Sequence, residues 1–144
     1  MIEQDTIKLL RECDAGVQMG ISSIEDVLDK IDSRSFEKIL TDSKEEHEKL
    51  DREIQNALDR FGDDGKAPNP MAQGMSWIKT NVMLARNDSD ATVADLMTDG
   101  CNMGVKSLGK YLNQYEAADE ASKDIAKRLI YIEAQLAADI RPYL

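Results

Sequence analysis

Gly16-Val17-Gln18-Met19-Gly20-Ile21-Ser22-Ser23-Ile24-Glu25-Asp26-Val27-Leu28 and Gly100-Cys101-Asn102-Met103-Gly104-Val105-Lys106-Ser107-Leu108-Gly109-Lys110-Tyr111-Leu112 are the two stretches that decide the fold. Gly16, Met19, Gly20, Ser23 and Leu28 recur as Gly100, Met103, Gly104, Ser107 and Leu112, all at an offset of 84 residues. Ile21/Val105 and Ile24/Leu108 are conservative matches in the same register. Glycine inside a helix costs about 1 kcal/mol against alanine, so glycines repeated at one register are not neutral choices. The pattern predicts two related helical hairpins.

Apolar spacing supplies the helices. Ile7, Leu10, Cys13 or Asp14, Val17, Ile21, Ile24, Leu28 and Ile31 alternate three and four apart, which predicts a helix over about 5–31. Asp32-Ser33-Arg34-Ser35 supplies turn and N-cap residues. Phe36, Leu40, Leu50, Ile54, Ala57 and Phe61 then mark a helix over 34–61 that stops at Gly62 in the left-handed conformation. Pro68 and Pro70 fall in the clearest loop of the chain, which starts at Gly62. A short helix carries Met71, Met75, Ile78, Val82 and Ala85, and Asp88 is the expected N-cap of the next. Val93, Leu96 or Met97, Cys101, Val105, Leu108, Leu112 and Tyr115 mark that helix, and Ile125, Leu129, Ile132, Leu136 and Ile140 mark the last.

A helix of 27 residues is about 40 Å long. Residues 62–88 must therefore carry the chain along the bundle if the second hairpin repeats the first. The expected fold is all-α, a ferritin-like four-helix bundle of two helical hairpins joined by a long crossover containing a short helix, with residues 1–144 as one domain.

Charge narrows the partners. The 144 residues carry 28 acidic and 18 basic side chains, a formal charge of -10, with no Lys/Arg cluster to neutralise a phosphate backbone, so nucleic acid is not an expected partner. No apolar run reaches the roughly 20 residues of a spanning helix, and no membrane role is expected. Met1-Ile2-Glu3-Gln4-Asp5 lacks the features of a signal peptide, which predicts a cytoplasmic location, and Cys13 and Cys101 are expected to be reduced.

One stretch breaks the apolar pattern. Between Leu40 and Leu50 no apolar residue occurs, and continuing the stripe lands on Ser43 and then His47, the only histidine. Glu46 flanks it, and Asp14 competes with Cys13 for a stripe position on the first helix. Asp14, Glu46 and His47 make a candidate half of a carboxylate-histidine site of the kind that holds iron or manganese. Lys44 stands where Glu-x-x-His would need its glutamate, and the last helix has no histidine, which argues against a complete dinuclear centre. The alternative is a partly buried His47 bonded to a neighbouring carboxylate. No nucleophile elbow, P-loop, dinucleotide fingerprint or zincin motif occurs, which argues against an enzyme, and Cys13 and Cys101 sit on apolar stripes where thiols are inert. Gly16, Gly20, Gly100 and Gly104 permit two readings, close packing of helix backbones or a niche for a small molecule. Met71, Met75 and Met83 with Trp77 suit either core packing or the docking of a partner helix, and pairing of two copies is open.

The layout resembles a bacterial family of unknown function with a ferritin-like fold. The residues carrying the resemblance are Leu9-Leu10 to Gly16, Glu45-Glu46-His47 with Leu50, the Gly65-to-Pro68 turn, Trp77, Lys79, Gly100 and Ile140-Arg141. The chain departs from the family's pattern in having Cys101-Asn102 where some relatives keep acidic residues, and in lacking a histidine in the last helix. The resemblance implies the fold, a bacterial origin and a cytoplasmic location, and no established activity. The expected function is that of a non-catalytic binding or interaction protein with no cofactor. The rival is a metal-binding protein of iron handling or oxidative stress.

Overall fold

Among the described residues four apolar stripes become four long helices: α1 (Ile2–Leu28), α2 (Arg34–Arg60), α3 (Asp90–Gln114) and α4 (Glu120–Asp139), followed by a 3-10 turn at Arg141–Tyr143. The structure is a computed structural model that describes residues 2–65, 81 and 89–144, and among these there is no strand. Met71, Met75, Ile78, Val82 and Ala85, the residues expected to mark a short helix, lie outside the described residues, as do Met83 and Trp77. No helix among the described residues is long and apolar enough to cross a membrane.

Side chains of short reach fix three of the helix starts. Ser33, Ser89 and Asp119 accept from the N–H groups of Phe36, Thr92 and Ser122, donors that have no partner inside the helix. The cap of α3 is thus Ser89, not Asp88 as its spacing suggested. α2 stops at Gly62, whose φ of +64° is the left-handed conformation that glycine adopts without a Cβ clash. α1 runs over 2–28 instead of 5–31. Its chain turns at Lys30, whose N–H reaches the Val27 carbonyl, and Ile31 packs on the core from this turn.

Contacts at the two ends set the direction of each helix. Asp5 and Thr6, at the start of α1, accept from the backbone N–H groups of Ala117 and Asp119 at the start of α4. Arg11 meets Asp63, just past the end of α2, with Nε 3.1 Å from the carboxylate. At the opposite end Asp90 accepts from the N–H groups of Asp32 and Ser33 at 2.8 and 3.0 Å, tying the start of α3 to the α1–α2 turn. There Tyr143 stacks on Phe36, with ring centroids 4.6 Å apart. Hence α1 runs parallel to α4 and α2 parallel to α3, and the chain leaves α2 at one end of the bundle and enters α3 at the other.

Among the described residues the buried ones form two apolar clusters. Leu9, Leu10, Val17, Leu50, Ile54, Leu58 and Leu129 anchor one, and Ile24, Val27, Phe36, Leu40, Val93, Leu136 and Ile140 the other. Between them the inward faces of α2 and α4 carry His47 and Glu133 instead of hydrocarbon. α2 and α4 share one burial register. Phe36, Leu40, Ser43, His47, Leu50 and Ile54 on α2 match Ser122, Ala126, Leu129, Glu133, Leu136 and Ile140, each pair 86 residues apart like His47 and Glu133, and all twelve are buried.

Asp90→Ala removes the acceptor for two backbone donors of the turn. It is expected to lower the free energy of unfolding by about 1 kcal/mol, read from the urea midpoint at unchanged slope.

Candidate functional site

His47 is fully buried. Its Nδ1 lies 2.7 Å from the Ser43 carbonyl oxygen, which can only accept, so Nδ1 carries a hydrogen. Its Nε2 lies 3.0 Å from Oε1 of Glu133. A neutral ring with its hydrogen on Nδ1 would set a lone pair against a carboxylate lone pair, so one proton lies between Nε2 and Oε1. Burial opposes the charged ring. The hydrogen bond and charge of Glu133, helped by the Ser43 carbonyl, outweigh it and hold His47 above its ordinary value of 6.5.

Gly20 makes room for this pair. A Cβ there would stand 2.7 Å from Cδ2 and 2.8 Å from Nε2 of His47, and 3.1 Å from Oε1 of Glu133. The imidazole therefore rests directly on the backbone of α1. The other three repeated glycines differ. A Cβ at Gly16 or Gly104 would make ordinary contacts at 3.6 Å or more, and one at Gly100 would meet nothing within 4 Å among the described residues. Close packing of the α1 and α3 backbones is thus not what these glycines provide, because contact between α1 and α3 is far thinner than that within either hairpin.

Between α1 and α3 lies a cavity of about 460 Å³. All four repeated pairs in the first eight positions of the two stretches line it: Gly16 with Gly100, Met19 with Met103, Gly20 with Gly104, and Ser23 with Ser107. His47, Glu133, Leu129 and Leu136 form its floor, and Ile24, Met97, Leu108 and Tyr111 add apolar wall. Cys101 also lines it, near Glu133. Burial, then the charge of Glu133, pushes that thiol far above its ordinary value, and Cys13 is pushed up to about 12 by burial together with Glu12 and Asp14. Both cysteines are free thiols that form no nucleophile near neutral pH.

The three candidate metal ligands do not converge. Glu46 is exposed, on the face of α2 beside the one that carries His47 inward. Asp14 is buried, but toward the other end of α2, where it accepts from Gln55 Nε2 at 2.7 Å and closes against Gly65. A Cβ at Gly65, whose φ is +85°, would overlap that carboxylate, so Asp14 and Gly65 together fasten the end of α2 to α1. The residues three before His47 and Glu133 are Lys44 and Ile130, and no group of three or more His, Cys, Asp or Glu able to hold a metal occurs among the described residues.

Glu133 is the site residue that the sequence reading passed over. From Leu129, both Ile132 and Glu133 satisfy three-or-four spacing, and the apolar one was the natural choice, yet Glu133 is 8% exposed and Ile132 only partly buried. The match of Ser33 with Asp119, both caps, would have set Glu133 opposite His47. No protein-family model, no curated protein and no solved structure matches this chain.

Two substitutions separate the roles of the glycines. Gly20→Ala is expected to cost about 1–3 kcal/mol by driving a methyl group into the His47 ring, whereas Gly100→Ala is expected to raise stability by up to about 1 kcal/mol, both read by chemical denaturation. The raised value of His47 also fixes a sign. The stability it contributes is fully present below 6.5, its unfolded value, and is lost as pH rises through the folded value. Unfolding free energy measured against pH should fall over that window in the native sequence and lose this component in His47→Gln.

Proposed function

We propose that this chain is a non-catalytic small-molecule-binding protein on a ferritin-like scaffold, with the cavity between α1 and α3 as its binding site. The observation that carries the reading is the placement of the repeated glycines. Gly16, Gly100 and Gly104 border open space where a side chain would fit. Each costs about 1 kcal/mol of helix stability, and what this secures is an apolar cavity in the size range of small-ligand sites with a few polar groups at its floor. The ferritin-like reading is supported by the parallel pairs α1/α4 and α2/α3 and by a connection that leads from one end of the bundle to the other. Burial pushes both thiols above their ordinary value, which favours binding over thiol-based catalysis.

Nile red, a neutral apolar dye, tests the site. One dye per chain is expected to bind with enhanced fluorescence. Gly100→Leu, which places a side chain in the open space, should abolish this at unchanged helical circular dichroism. Equal dye binding by the native and Gly100→Leu proteins would remove the cavity from consideration.

A further inference from the structure

The cavity between α1 and α3 also selects the head group of its occupant, an inference that rests on the binding reading above. Glu133 lines this cavity, and its side chain is only 10% exposed. Its Oε1 takes the hydrogen bond from His47 Nε2 at 3.0 Å. No N–H or O–H group among the described residues donates to Oε2. Yet no side-chain nitrogen or oxygen among them is both fully buried and without a partner, so Oε2 keeps some accessible surface, and the open space beside it is the cavity.

The repeated glycines show which way each oxygen points. A Cβ at Gly20 would stand 3.1 Å from Oε1, and one at Gly104 would stand 3.9 Å from Oε2. Oε1 is thus turned toward α1 and the imidazole, and Oε2 toward α3. Gly20 admits the ring that holds one oxygen, while Gly104, its counterpart in the repeat, leaves the other oxygen uncovered.

Oε2 can only accept. The proton shared by His47 and Glu133 lies between Nε2 and Oε1, so on whichever of those atoms it rests, Oε2 carries no hydrogen. The Cys101 thiol is near, but a thiol is a weak donor and leaves lone pairs of the carboxylate free. A head group that only accepts, such as an ether or ketone, would set its lone pairs against Oε2 and lose its water without replacement. A charged head group would lose more water and gain no unpaired counter-charge, because His47 and Glu133 already neutralise each other and the described lining holds no lysine or arginine. An uncharged donor meets neither objection. We infer that the cavity takes an uncharged apolar alcohol, aliphatic or phenolic, whose hydroxyl donates to Oε2 of Glu133. Its hydrocarbon part lies among Met19, Met97 and Leu108, where the unbranched thioethers adapt to irregular shapes. No covalent bond changes and no proton leaves the His47–Glu133 pair.

Isothermal titration of the full chain with octan-1-ol and with heptyl methyl ether tests the inference, since these isomers differ in the hydroxyl hydrogen. Octanol is expected to bind at least about tenfold more tightly, as a hydrogen bond to a charged acceptor implies. The double variant His47→Leu/Glu133→Met removes the polar pair as a unit and is expected to bind the two isomers equally. Should it not fold, Gly104→Ala takes its place, because a methyl group there crowds Oε2 at ordinary contact distance and should narrow the gap between the isomers. Equal binding of ether and octanol by the native chain, or an octanol preference undiminished in the variant that folds, overturns the inference and leaves the binding reading intact. Failure of both isomers where Nile red still binds has the same meaning. Failure of both isomers and of Nile red overturns the inference and the binding reading together.

Discussion

A single hydrogen bond between ionisable side chains, His47 Nε2 to Glu133 Oε1, sits where four apolar helix faces would otherwise meet. Neither group tolerates burial alone. Removing one leaves the other desolvated without a partner, so the pair has to be kept or lost as a unit. This requirement ties the register of α2 to that of α4, because a slip of one residue on either helix would turn one group outward. It also ties α1 to both, since only a residue without a Cβ fits at position 20 against the ring. α1, α2 and α4 are therefore indexed against one another by one contact.

The polar layer shapes the space beside it. Two hydrocarbon clusters, one at each end of the bundle, bring the helices together, and between them α1 and α3 are lined by glycine and serine on the sides that face each other. Apolar packing at both ends keeps the middle open. Flexible methionines border the opening and a rigid hydrogen-bonded pair closes its depth, an arrangement in which shape can adapt to a guest while polarity cannot.

Much of the fold was legible because long helices write their burial into sequence at a fixed period. The stripes of α1 and α2, Gly62 as the stop of α2, and the inward direction of Ser43 and His47 follow from spacing alone. The partner of His47 was not legible in the same way. At a helix period of 3.6, Leu129 is followed equally well by Ile132 or Glu133, and hydrophobicity favours the residue that is less buried. Asp14 shows the converse error. Its inward position was readable, but depth along the bundle is not encoded in a stripe, and it lies against Gln55 and Gly65 instead of His47. The glycines mark a further limit, since a missing side chain reads the same whether a neighbouring backbone fills the gap or leaves it empty.

The register shared by α2 and α4 places His47 and Glu133 at equivalent positions on the two helices. Two identical hairpins associating about a two-fold axis could set only histidine against histidine there, or glutamate against glutamate, and either juxtaposition of like groups is repulsive when both are charged. Carrying both hairpins on one chain lifts that restriction. Each copy of the position can vary independently, so an acid can face a base across an axis where symmetry would otherwise demand sameness. The covalent connection between the halves thus allows a chemical asymmetry at the centre of a nearly symmetric frame.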